Sequence, residues 1–311
     1  MRKNIGSNLF ICLLVTILIL IIYYSNEVME SVTFSISIWK DNLLPSLFPF
    51  FIISNLLLQY GFVDKLSFIS SSIMPKIFHL PKEACFPLII SLFSGFPSGA
   101  KATTDLVKEN ILTKDQASRL ITFTHYSNPL FILGFIGNVL LGSKKLGIMI
   151  LIAHIISNLV LGVIFRPKNI DCKKTLTNNK KEVPSLGSAL RISIFDSLNT
   201  MFLLLGIVTI FLILTTILFE LFTYHPIFKS FIAGVLEMTQ GVKLVNTLPL
   251  SLLMKTILMT FFISFGGISV HIQVLSIISE EKIKYKYFLI ARIIHSILAS
   301  ILVFILYLLF Y

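Results

Sequence analysis

The chain alternates long apolar runs with short polar interruptions, and the lengths of the runs sort them into two kinds. A helix crossing the hydrocarbon core needs about 20 mostly apolar residues. That template predicts seven spans, at residues 9–24, 43–60, 120–141, 146–165, 192–219, 250–278 and 287–311. Two further apolar stretches, 84–99 and 227–236, are shorter and end in small or polar residues. They are expected to enter and leave the bilayer on one side. The polar stretch 166–191, rich in Lys, Asn and Thr, reads as a linker. The chain thus divides into a first span with an outer loop (1–42), a first repeat (43–165), a cytoplasmic linker (166–191) and a second repeat (192–311). Each repeat reads long helix, short re-entrant segment, long helix, long helix. The first starts from outside and the second from inside, so their topologies are inverted. The expected fold is an all-α polytopic membrane protein with about seven transmembrane helices plus two re-entrant hairpins in an inverted repeat.

Composition supports a membrane setting. Of 311 residues, 55% are hydrophobic and only 13% charged, about half the charge a soluble surface requires. The net charge of +11 and 28 Phe suit basic cytoplasmic loops rather than nucleic-acid binding. With the amino terminus inside, most Lys and Arg fall on the cytoplasmic side, although Lys144 and Lys145 violate the bias. No small-residue cleavage site follows the apolar run after Arg2 and Lys3, so an uncleaved first span is expected. Cys12, Cys85 and Cys172 are too few and too scattered for a disulfide framework or a metal site.

The interruptions carry the candidate chemistry. Lipid cannot satisfy the backbone groups of a broken helix, so a break survives only where protein or a water-filled cavity surrounds it. Ser94-Gly95-Phe96-Pro97-Ser98-Gly99 packs glycines, a proline and hydroxyls into one turn. It predicts a hairpin tip with a helix starting near Ser98, whose N–H groups attract anions. Lys101 lies one turn further on. A parallel run, Gln240-Gly241-Val242-Lys243, follows the second short segment. Each next long segment is then interrupted, by Ser127-Asn128-Pro129 in one case and by Gly266-Gly267 in the other. Interrupted segments at matching positions in two halves point to a transporter site.

The expected substrate site therefore comprises Ser94, Gly95, Ser98, Gly99, Lys101, Asn128, Gln240, Gly241, Lys243 and Gly267. A competing reading has Lys101 snorkelling or pairing with Asp105 or Glu237, and Asn128 beside a simple proline kink. Arg292 reads as snorkelling from the last span. His125, His154, His271 and His295 form no metal-ligand spacing; they read as proton relays or, more commonly, as neutral rings bonded across helices. There is no nucleotide loop, nucleophile elbow or zinc motif, so neither enzymatic activity nor a cofactor is expected.

Pro45-Ser46-Leu47-Phe48-Pro49-Phe50, Ser94 to Lys101 and Ser127-Asn128-Pro129 together resemble the YlbJ family of sporulation integral membrane proteins, which carry a nucleoside-recognition, or Gate, domain. The resemblance runs from about the second span onward and is most specific at Ser94 to Lys101. It implies an endospore former and a transporter that moves dipicolinic acid across the outer forespore membrane. The Gate domain is similar to part of the concentrative nucleoside transporters, which use paired re-entrant hairpins and unwound helices. The implied partners are a small anionic substrate, dipicolinate, and the lipid bilayer, with no nucleic acid and the oligomeric state open. A nucleoside or other solute carrier, and a structural protein of spore assembly, remain as alternatives.

Overall fold

The computed structural model of the chain describes residues 2–63, 65, 73–168 and 184–311. Cys172 and most of the expected linker lie outside these residues. Among the described residues every regular element is helical. Helix α1 (Arg2–Tyr23) is followed by α2 (Ser25–Ile38), and the two are bent by 95° at their junction. Residues 25–38 were expected in an outer loop; instead they form a helix, because Val28, Ser31, Ser35 and Ile38 make one buried stripe. That stripe lies on α8 (Leu186–Leu221). Ser31 and Ser35 share hydrogen bonds of 2.7 Å with Thr216 and Thr209, and Trp39 Nε1 donates to the Met201 carbonyl at 2.8 Å. Small hydroxyl residues let apolar helices approach and bond in this way.

Among the described residues four helical segments are long and apolar enough to cross a membrane: Lys144–Ile164 (α7), α8, Leu252–Ser279 and Tyr285–Phe310 (α13). The bent pair Asn8–Tyr23 and Ser25–Asp41 makes a fifth if counted as one span. Two expected spans take other forms. Residues 43–60 yield α3 (Leu44–Gln59), 16 residues with Pro49 inside. Residues 120–141 are broken: α6 (Lys114–Leu120) is followed by irregular chain over 121–128 and then a π-helix, Phe131–Leu140.

The two short apolar stretches are the first arms of helical hairpins. One pairs α4 (Cys85–Ser94) with α5 (Ser98–Lys108), the other α9 (Pro226–Leu236) with α10 (Met238–Thr247). At 1.5 Å per residue, arms of 10 and 11 residues reach about half of a ~30 Å hydrocarbon core. After the second hairpin, α11 (Leu252–Phe265) and α12 (Gly267–Ser279) are separated at Gly266, which has φ +91°. Both halves therefore present a hairpin, a helix broken midway and a long helix, in that order.

Charged side chains gather at the ends. Lys108 pairs with Glu280 at 2.7 Å, Lys284 with Asp115 at 3.5 Å, and Arg119 lies over the Tyr287 ring at 4.0 Å. At the opposite end of α13, Lys145 lies 5.7 Å over the Tyr311 ring. Helices α7 and α13 run antiparallel, with the His154 and His295 rings 4.7 Å apart midway. The Lys144 and Lys145 pair that breaks the charge bias thus sits beside an aromatic ring at a helix end, a setting that suits a snorkelling lysine.

Candidate functional site

The tip of the first hairpin is seated on the irregular segment 121–128. Gly95 has φ +84°, and a Cβ there would come 2.6 Å from the Asn128 nitrogen. A Cβ on Gly99 would come 1.8 Å from the Thr124 carbonyl oxygen, so only glycine lets α5 approach this closely. Asn128 Nδ2 donates to the Ser94 carbonyl at 3.2 Å, and its Oδ1 accepts from the Leu130 nitrogen at 2.8 Å. Asn128 thus bridges hairpin and break while supplying an acceptor beside Pro129. Phe96, at the very tip, stacks on His125 with centroids 4.8 Å apart and planes 11° apart.

The second tip is built differently. Glu237 is buried, and its carboxylate accepts from the Gln240 nitrogen at 2.9 Å and from the Thr239 hydroxyl. The amino terminus of α10 is therefore capped by a carboxyl group from its own chain, the usual arrangement at a helix start. Gly241 meets Gly234 across the hairpin: a Cβ on Gly241 would come 2.1 Å from Gly234 Cα. Gly267, with φ +72°, lies against the Met238 nitrogen. The Lys243 Nζ lies 3.8 Å over the Phe34 ring, a cation–π contact.

Between the tips lies a cavity of about 390 Å³ lined by residues of both hairpins, both Phe96 and Met238-Thr239-Lys243, together with Ser127, Asn128, Phe131 and Phe135. Helix α2 supplies Phe34, Ser37 and, in the segment that follows it, Asp41. Of the expected site residues, Asn128 and Lys243 line this cavity, while Ser94, Gly95, Gly241 and Gly267 form the backbone contacts behind it. Ser98 and Lys101 are elsewhere. They line a separate pocket of about 10 Å³ with Asn55 and Asp105, and Lys101 pairs with Asp105 at 3.5 Å, one turn on. Gly99 is occupied by its contact with Thr124, and Gln240 contributes a backbone donor to Glu237 while its Oε1 is buried without a partner.

Next to His125 the core holds an unusual concentration of polar groups. Arg292 does not snorkel: it is fully buried. Its NH1 donates to the His125 carbonyl at 3.3 Å and to His295 Nδ1 at 2.9 Å; its NH2 donates to Asn158 Oδ1 at 2.8 Å and to the Thr122 carbonyl. Asn158 Nδ2 donates to the same His125 carbonyl at 2.6 Å. His154 Nε2 accepts from the Ser127 nitrogen at 3.0 Å and faces Ser264 Oγ through Nδ1 at 3.0 Å. Arg292 can only donate, so His295 Nδ1 accepts from it and does not donate to the Ser264 carbonyl 3.1 Å away; its Nε2 then donates to the His154 carbonyl at 3.0 Å. His271 lies between the Tyr285 hydroxyl at 2.7 Å and the Phe265 carbonyl at 3.1 Å. His154, His271 and His295 are thus bonded across helices, whereas the His125 ring is held by ring contacts and its Nε2 is buried with no hydrogen-bond partner among the described residues; the Thr122, His125 and Phe265 carbonyls at the breaks are bound by side chains, as a membrane core demands. Sequence reasoning missed Phe96, Thr239 and the Arg292 cage. The lone arginine in the last apolar run was the available signal.

No family model matches the chain, and no solved structure matches it. Among curated proteins it is similar to sporulation integral membrane protein YlbJ of Bacillus subtilis (strain 168), at 32% identity over 310 aligned positions, 88% of this chain and 76% of that one. An identity of this level over this length, on a helical body with bilayer-length apolar helices, shows that the chain is an integral membrane protein and belongs to the YlbJ family of sporulation proteins.

Proposed function

We propose that the protein is a transporter that moves dipicolinate across the outer forespore membrane during sporulation, and that the cavity between the hairpin tips is its binding site. The observation that carries this reading is the convergence of Asn128, from one broken helix, and Lys243, from the opposite hairpin, on one cavity of about 390 Å³. That volume falls in the usual range of about 300–1,000 Å³ for small-molecule sites. Dipicolinate is a flat pyridine with a carboxylate on each flank. Phe34, Phe96, Phe131 and Phe135 offer apolar surface for such a ring, and Lys243 supplies a charge for one carboxylate. A neutral nucleoside leaves Lys243 without a role. In this reading the chain has seven spans, the blocks 43–165 and 192–311 are an inverted repeat, and the polar ends holding Lys108, Asp115 and Lys284 face the cytoplasm. Uptake of labelled dipicolinate by proteoliposomes of the purified protein tests it. Uptake of nucleosides in preference would favour a different carrier, and no uptake of either would favour a structural role in spore assembly.

A further inference from the structure

In transporters built on broken helices, unwound carbonyls and the carboxyl-terminal ends of half-helices commonly coordinate the coupling cation. Here that place is filled by the chain itself. Arg292 is completely buried, and among the described residues none of its hydrogen bonds goes to a carboxylate. Its oxygen partners are the Thr122 and His125 carbonyls, released where α6 ends, and Asn158 Oδ1. The second break reaches the same cage: His154 Nδ1 faces Ser264 Oγ at 3.0 Å and also holds the first break through Ser127. Two carbonyls and an amide oxygen around one buried cationic group supply part of the neutral oxygen set that a monovalent coupling cation takes at a broken helix. A guanidinium meets the same oxygens with a permanent charge, and truncating so buried a charge leaves its partners uncompensated.

We propose that Arg292 is a tethered replacement for a coupling cation: it neutralises the carbonyl ends of the first broken helix, so that this cage needs no sodium ion for transport. The inference rests on the transporter reading above. It also predicts that removing the side chain turns the cage into a site for a small external cation.

Two measurements on the full-length protein test this. The first is thermal unfolding of purified Arg292→Ala in detergent, with choline, sodium or methylguanidinium chloride at equal ionic strength. Methylguanidinium, and to a smaller extent sodium, should raise the midpoint of the variant and leave the wild type unmoved, since only a ligand of the native state stabilises it. An equal response of both proteins would overturn the proposal, whatever the transported substrate is. The second is dipicolinate uptake by proteoliposomes. Wild-type uptake should be equal in choline and sodium, Arg292→Ala should lose roughly tenfold or more, and methylguanidinium should restore part of it. Wild-type uptake that requires sodium would overturn the inference while leaving the transporter reading standing; absence of wild-type uptake in every salt would remove the transporter reading and the coupling role with it, and the unfolding measurement would then decide only whether the cage binds a cation. If Arg292→Ala is not recovered folded, Arg292→Lys keeps the charge with fewer donors and should retain sodium-independent uptake. Sodium dependence appearing in that variant would equally refute the replacement role.

Discussion

Gly99 offers the sharpest test of how the first hairpin is seated. An added Cβ would come 1.8 Å from the Thr124 oxygen and 2.9 Å from both the Thr124 carbonyl carbon and the Ser91 Cβ. The two Thr124 contacts are with main chain and cannot be relieved by a side-chain rotation. The α5 backbone must withdraw from the irregular segment by more than 1 Å to reach an ordinary contact, roughly 3.4 Å or beyond. Overpacking of this kind costs about 1–3 kcal/mol, and the rigidity of the neighbour places Gly99→Ala at the upper end. The substitution also gains ~0.5–1 kcal/mol from replacing glycine inside a helix, so the net loss is about 2 kcal/mol. Gly134, in the π-helix Phe131–Leu140, is the control: a Cβ there has nothing within 4 Å. Gly134→Ala should be neutral or slightly stabilising. Thermal unfolding of both purified variants, read by the fraction remaining monodisperse after heating, gives the comparison. A Gly99→Ala protein as heat-resistant as Gly134→Ala would refute the close approach of α5 to Thr124.

Lys243→Met should weaken dipicolinate uptake roughly ten- to a hundredfold in apparent affinity by removing a charge-assisted contact, measured as the concentration dependence of proteoliposome uptake. Lys101→Met should leave that affinity unchanged, because Lys101 lies outside the cavity and pairs with Asp105; an equal loss in both variants would show that Lys101 also meets the substrate. Glu237→Ala removes the acceptor of the Gln240 nitrogen and the Thr239 hydroxyl, so purified protein should unfold about 1 kcal/mol more easily, and an unchanged unfolding midpoint would deny it that role. In a cysteine-free background, Asn110→Cys and Lys144→Cys should be labelled by an impermeant thiol reagent from opposite faces of the membrane, Asn110→Cys from the cytoplasm; labelling from one face would sink the proposed topology.

The hairpins and the breaks were legible from sequence because their causes are local. Glycine and proline at 95, 97, 99 and 129 act on the residues beside them, and an apolar arm of 10 residues is short on any reading. Helix α2 was not legible. Glu27 and Glu30 dilute its hydropathy, and its apolar and hydroxyl stripe has meaning only against Thr209 and Thr216 of α8, more than 170 residues away. Arg292 was misread for a related reason. A single arginine in a terminal apolar segment looks the same whether it snorkels or turns inward, and its partners Thr122 and His125 act through carbonyls that no side chain advertises. Matching the two halves put Lys101 and Lys243 in one site; Lys243 lines the cavity between the tips, whereas Lys101 faces another pocket.

The shortness of the hairpin arms bears on passive permeability. In the proposed topology, arms that stop about midway place the seal between the two aqueous sides at the tips, and at the first tip it includes the Phe96 ring laid on His125 beside the Gly95 and Gly99 contacts. Tightness then depends in part on this ring, whatever the site carries: Phe96→Ala should raise the leak of protons and small ions through proteoliposomes in the absence of any substrate.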